Sequence, residues 1–109
     1  MNEELMAELA QQFRANTLER LDKMRTLLAR LDGDRANRAT LTELHRHFHG
    51  LAGLGGTYGF PTVSEIGADA EEACDALDDG REPDDAFVAM VERAIARVEA
   101  EVRGELLVV

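Results

Sequence analysis

The feature that most restricts the fold of this chain is the helical spacing of its apolar residues. In four stretches, apolar side chains recur at steps of three and four positions, so that they would share one face of an α-helix. No strand-like alternation occurs before the last five residues. Four amphipathic helices joined by short turns predict an all-α protein, an antiparallel up-and-down four-helix bundle.

Glycine, proline and capping residues mark the predicted helix ends. Gly33 is expected to stop the first helix in a left-handed conformation. The second helix begins either near Asn37 or at Thr40, which has capping-box spacing with Glu43. Pro61 suits the first turn of the third helix, since a proline there gives up no helical hydrogen bond.

The two ends of the chain each leave an alternative open. Leu5, Leu9 and Phe13 continue the apolar spacing upstream, so they either extend the first helix or form a short extra N-terminal helix. We assign residues 1–104 to the bundle. The apolar run at 105–109 is either a tail or the start of a following domain removed by truncation.

Composition restricts the partners and the compartment. The 109 residues suffice for one domain, and their formal net charge of −10 argues against nucleic acid and anionic membrane surfaces as partners. No apolar run is long enough to span a membrane, and the acidic start does not resemble a signal peptide. The single Cys74 is expected to be a small buried side chain in a reducing compartment. We therefore expect a monomeric cytoplasmic protein.

The second predicted helix carries the unusual chemistry, in the stretch "HFHGLAGLGGTYGFP". Five of the nine glycines of the chain lie between Gly50 and Gly59. A nucleotide-binding loop would need a lysine where Gly56 stands, and no strand precedes it. His45 and His49 are spaced to reach one metal ion, but two ligands make a weak site, and we predict no metal or cofactor of the protein's own.

A helical wheel favours a third interpretation. His49 falls about 120° from the centre of the apolar stripe and so points toward water. A side chain at Gly53 would overhang its imidazole, and Gly56 lowers the next turn. Because each glycine within a helix costs about 1 kcal/mol, their number indicates that close approach is useful, either to His49 or between helices. An accessible imidazole can act as a nucleophile near neutral pH, although no second activated group is evident beside it.

These residues resemble the H-x-x-K-G-x-x-x-x-x-G pattern of histidine phosphotransfer domains of bacterial phosphorelays. The resemblance covers roughly residues 10–103. It implies that His49 accepts a phosphoryl group and exchanges it with an aspartate of a receiver domain, which brings the magnesium, and that a histidine kinase is a second partner. Arg46 matches a basic residue of that family, and either Glu71 or Glu72 resembles its acidic residue on the following helix.

One position departs from the family pattern. Ala52 stands where the family usually has lysine, which leaves Arg46 or the partner to supply a positive charge. His45 is a candidate for shaping the site electrostatically, whereas His47 falls on the other flank of the stripe and is expected to be structural or solvent-facing. The alternative function is a helical bundle that binds a partner protein and carries no phosphoryl group.

Overall fold

The computed structural model describes residues 2–104, which form four α-helices and no strand. The run at 105–109, with the predictions made for it, lies outside the described residues. The helices are α1 (Glu3–Gly33), α2 (Arg38–Leu54), α3 (Pro61–Asp75) and α4 (Asp85–Arg103).

The helices pack as a closed ring of neighbours. Each helix packs against the next along the chain and α1 also packs against α4, whereas within residues 2–104 the diagonal pairs bring no Cα atoms within 8 Å of each other. Short connections between neighbours make consecutive helices antiparallel. The predicted up-and-down four-helix bundle is confirmed.

The first helix is much longer than the others. At about 1.5 Å per residue its 31 residues span roughly 46 Å. It is continuous from Glu3, so the upstream segment extends α1 and is not a separate helix. Phe13 is its first buried residue, and the turns before it project beyond the core, leaving Leu5 and Met6 exposed.

Most of the predicted helix ends are confirmed. Asn37 caps α2 by accepting a hydrogen bond from the Thr40 amide at 3.1 Å, which decides between the two starts considered for that helix. Pro61 is the first residue of α3. Gly104 adopts the left-handed conformation (φ 69°) after α4.

The prediction for Gly33 is wrong. Gly33 is the last residue of α1 and is not among the glycines with positive φ. Asp34 caps the helix instead, and its amide donates to the carbonyl oxygen of Leu31 at 3.1 Å. Any residue tolerates this tightened last turn, so the glycine there has no left-handed role.

Two glycines let α2 and α3 approach each other closely. A Cβ atom on Gly67 would lie 2.7 Å from the backbone nitrogen of Ala52 and 2.9 Å from the carbonyl oxygen of Phe48. A Cβ on Gly55 would lie 2.7 Å from the backbone nitrogen of Ser64. Because these neighbours are backbone atoms, a larger residue at either position would push the two helices apart.

The core contains the residues that the apolar spacing predicted, led by Leu21, Leu44, Phe48 and Val98. Cys74 belongs to it, and burial raises the pKa of its thiol to about 12. The thiol therefore stays protonated at neutral pH, as expected for a small buried side chain.

Candidate functional site

His49 lies on α2 with its side chain 75% exposed. Its neighbours Phe48 and Leu51 are fully buried, and these anchors fix the rotation of the helix. The predicted outward orientation of the imidazole is therefore confirmed.

A carboxylate from the next helix holds one nitrogen of this ring. Oε2 of Glu71, on α3, lies 2.5 Å from Nδ1 of His49. A carboxylate accepts hydrogen bonds, so this contact favours the tautomer that carries its proton on Nδ1. Nε2 then carries the lone pair of a ring whose side chain is 75% exposed.

This contact corrects one expectation from the sequence. No activated group was evident beside His49 because a wheel of one helix shows only that helix. The sequence also left Glu71 and Glu72 as equivalent candidates. Glu71 is 23% exposed and bonds to His49, whereas Glu72 is exposed and makes no hydrogen bond to His49.

His45 shares the same carboxylate from one turn earlier on α2. Its Nε2 lies 3.5 Å from Oε2 of Glu71 and 3.2 Å from Oδ1 of Asp75. His45, Asp75 and Asp78 each offer a ligand atom, and these atoms lie within 4.8 Å of one another. His49 is outside this group. The geometry that suits a metal ion is therefore that of His45 with two aspartates, and not that of the histidine pair considered from the sequence.

The glycines near His49 divide into two kinds. A Cβ on Gly53 would meet nothing within 4 Å, and one on Gly56 would meet only Oγ of Ser64 at 3.6 Å. Gly53 therefore leaves open space along the His49 face. Close packing of α2 against α3 explains Gly55 and Gly67, whereas no such close contact exists at Gly53 or Gly56.

The two candidate positions for positive charge differ in environment. Arg46 is exposed, three residues before His49 on a neighbouring part of the helix surface, and forms no ion pair within residues 2–104. Ala52 is half-buried at the contact between α2 and α3.

His47 faces α1 on the opposite flank of α2. Its Nδ1 lies 3.2 Å from Nη1 of Arg20, and its pKa is lowered by burial and then by the charges of Arg20 and Lys23, against a raising effect of Glu43. A neutral ring that accepts the Arg20 hydrogen bond fits this environment. His47 thus has the structural role that the sequence suggested.

A groove runs between α1 and α2 beside this contact. Its volume is about 180 Å³, and its lining includes Phe13, Arg20, Gly50 and Leu54. Phe13 stacks on Tyr58 and Phe60 with ring centroids 5.6 and 5.1 Å apart, so these two aromatic residues pack against α1. Leu54 remains 42% exposed at the groove's edge.

The family model described as Hpt domain matches residues 8–101. The chain therefore belongs to the Hpt domain family, the histidine phosphotransfer modules of two-component phosphorelays. Neither a curated protein nor a solved structure matches it significantly. Within residues 2–104, no helix is both long enough and apolar enough to cross a membrane.

Proposed function

We propose that this domain is a cytoplasmic phosphorelay intermediate in which Nε2 of His49 accepts a phosphoryl group from the aspartyl phosphate of a receiver domain. The observation that carries the proposal is the exposed imidazole whose other nitrogen is held by Glu71 at 2.5 Å. A nucleophile with one free nitrogen, oriented by a neighbouring carboxylate, suits attack on a group brought by a second protein.

The transfer is balanced without a further reactant. The lone pair of Nε2 attacks phosphorus, the N–P bond forms, and the bond from phosphorus to the aspartate oxygen breaks. The electron pair of that bond stays on the departing carboxylate. The imidazolium that forms keeps its proton on Nδ1, where Glu71 stabilises the positive charge. Reversal returns the phosphoryl group to the receiver, and a magnesium ion held by that receiver would neutralise charge on the phosphoryl oxygens.

We infer the docking face for the receiver from exposed apolar area near His49. The exposed face of His49 and Gly53 continues around α2 to the groove beside α1, where Leu54 offers apolar area. Apolar contacts of this kind supply affinity, and surrounding charges select the partner. The same face would serve a histidine kinase, and we expect a complex of one domain with one receiver.

A transfer assay tests the function. A receiver domain charged by a small phosphodonor is mixed with this chain, and acid-labile phosphate on the chain is measured over time. We expect phosphate on the wild-type chain and none on His49→Gln, with His47→Gln as the matched control that still accepts it. Transfer that persists in His49→Gln would refute the assignment, and binding without any transfer would favour the interaction module.

Gly53→Leu should slow phosphoryl transfer without destabilising the fold. A leucine at this position meets open space, so it should raise helix propensity while its bulk crowds the receiver over His49. Transfer rates and thermal melts of the same preparation measure the two effects. A variant that melts earlier but transfers normally would show that Gly53 serves packing.

Arg46 should supply the positive charge that Ala52 does not. Arg46→Ala should shorten the lifetime of the phosphorylated protein or slow its loading, because an exposed cation near the phosphoryl oxygens stabilises their charge. Adding Ala52→Lys to the Arg46→Ala variant should restore part of this loss, because the lysine would place a positive charge on the other side of His49. Unchanged lifetimes and rates in all three proteins would show that local positive charge is not limiting.

A further inference from the structure

More side chains able to bind a metal ion lie at the contact between α2 and α3 than phosphoryl transfer requires. On α2, His45 and His49 are one turn apart on the same face. Opposite them, Glu71 and Asp75 are one turn apart on α3, and Asp78 follows in the next connection. The close approach allowed by Gly67 brings these two rows together.

The atoms around His45 have the spacing of metal ligands. Bonds of about 2.0–2.1 Å at tetrahedral angles place two ligands of a zinc ion about 3.3 Å apart. The observed separations from Nε2 of His45 are 3.2 Å to Asp75 and 3.5 Å to Glu71. Asp78 has an oxygen within 4.8 Å of the ligand atoms of His45 and Asp75. One imidazole and several carboxylates are a donor set that suits Zn²⁺ better than Mg²⁺, which rarely takes nitrogen ligands.

Electrostatics favour a cation at the same point. Nε2 of His45 lies 3.5 Å from an oxygen of Glu71 and 3.2 Å from an oxygen of Asp75. The negative charges of the two carboxylates favour a positive charge between the three atoms, which either a proton on Nε2 or a bound metal ion supplies. His45 is 28% exposed, which shields it partly from water yet leaves an ion a path of entry.

We propose that His45, Asp75 and Asp78 bind a divalent transition-metal ion of the Zn²⁺ class, and that Glu71 couples this site to His49. Oε2 of Glu71 is the atom that contacts both histidines. An ion bound at His45 attracts this oxygen as a further ligand and weakens its hydrogen bond to Nδ1 of His49. The His49 ring then loses the contact that fixes its tautomer, and phosphoryl loading slows. This last consequence rests on the proposed function, whereas the metal site itself does not.

Titration of Zn²⁺ into the full 109-residue chain tests the site. We expect calorimetry to saturate at one ion per chain, and Mg²⁺ to give no comparable heat. Imidazole nitrogen resonances should shift for Nε2 of His45 by direct ligation and for Nδ1 of His49 through Glu71, while those of His47 stay unchanged. Absence of saturable Zn²⁺ binding would overturn the proposal.

Substitutions of the proposed ligands test where the ion binds. His45→Gln and Asp75→Asn should each weaken Zn²⁺ binding at least about tenfold. Asp69→Asn, an exposed carboxylate of α3 outside the cluster, and His47→Gln should leave it unchanged. Equal affinity in His45→Gln and wild type would also overturn the proposal. If Asp75→Asn disturbs α3, Asp78→Asn takes its place, because Asp78 lies beyond the end of that helix.

The coupling between the metal site and His49 is measured by phosphorylating the chain with a small phosphodonor, with no receiver present. We expect Zn²⁺ to slow loading of the wild type about tenfold and to leave His45→Gln unaffected. If Zn²⁺ binds but the rate does not change, the coupling through Glu71 is refuted. If the chain binds Zn²⁺ yet never takes up phosphate from donor or receiver, the proposed function fails while the metal site stands.

Discussion

Gly67→Ala is expected to lower the free energy of unfolding by about 2 kcal/mol, roughly 10 °C in Tm. A Cβ atom there would lie 2.7 Å from the backbone nitrogen of Ala52 and 2.9 Å from the carbonyl oxygen of Phe48. Neither atom can turn away as the end of a side chain would, so α2 and α3 must separate. Alanine is the better helix former by about 1 kcal/mol, and the expected loss is what remains after that gain.

Gly53→Ala is the matched control, since Gly53 is also within a helix but faces open space. It should keep or raise stability, by up to about 1 kcal/mol, because only the helix propensity changes. Chemical denaturation of both variants gives the comparison. A Gly67→Ala variant as stable as Gly53→Ala would show that the close approach of α2 and α3 does not require glycine.

Glu71→Gln is expected to slow phosphoryl transfer at least about tenfold while the fold is kept. A glutamine amide is neutral, so it no longer stabilises the imidazolium that forms during transfer. Its NH₂ group can also donate to Nδ1, which favours the tautomer with a proton on Nε2. The nitrogen that must attack phosphorus is then blocked. Transfer rates at matched protein concentrations, with circular dichroism of each variant, measure the effect.

The adjacent Glu72→Gln provides the control for this change. It removes the same charge from the same helix, but Glu72 is exposed and is not the carboxylate that bonds to His49. Its transfer rate should match the wild type. Equal slowing in both variants would mean that the net charge of α3 matters and that the contact with Nδ1 does not.

Much of the fold could be predicted from the sequence because apolar spacing reports helices directly. The buried faces of all four helices, the Asn37 cap and the Pro61 start depend on local chemistry, which the sequence displays. Gly33 was mispredicted because a glycine near a helix end permits a left-handed stop without requiring it. The backbone at Asp34 closes α1 by another hydrogen bond.

Only those features of the candidate site that depend on α2 alone could be predicted from the sequence. The exposure of His49 and the open space at Gly53 follow from positions on α2 alone. The choice between Glu71 and Glu72 depends on the rotation of α3 against α2, which Gly55 and Gly67 help to set. The grouping of His45 with Asp75 and Asp78 depends on the same packing, so no spacing within one helix could reveal it.

The most direct test of the account is to locate the phosphoryl group on the atom that carries it. The chain is phosphorylated by a charged receiver, and phosphorus and imidazole nitrogen resonances are recorded before acid treatment. We predict a single phosphohistidine, at His49, with the N–P bond on Nε2, because Glu71 holds Nδ1. Phosphate on Nδ1 of His49, or on any other residue, would contradict the account.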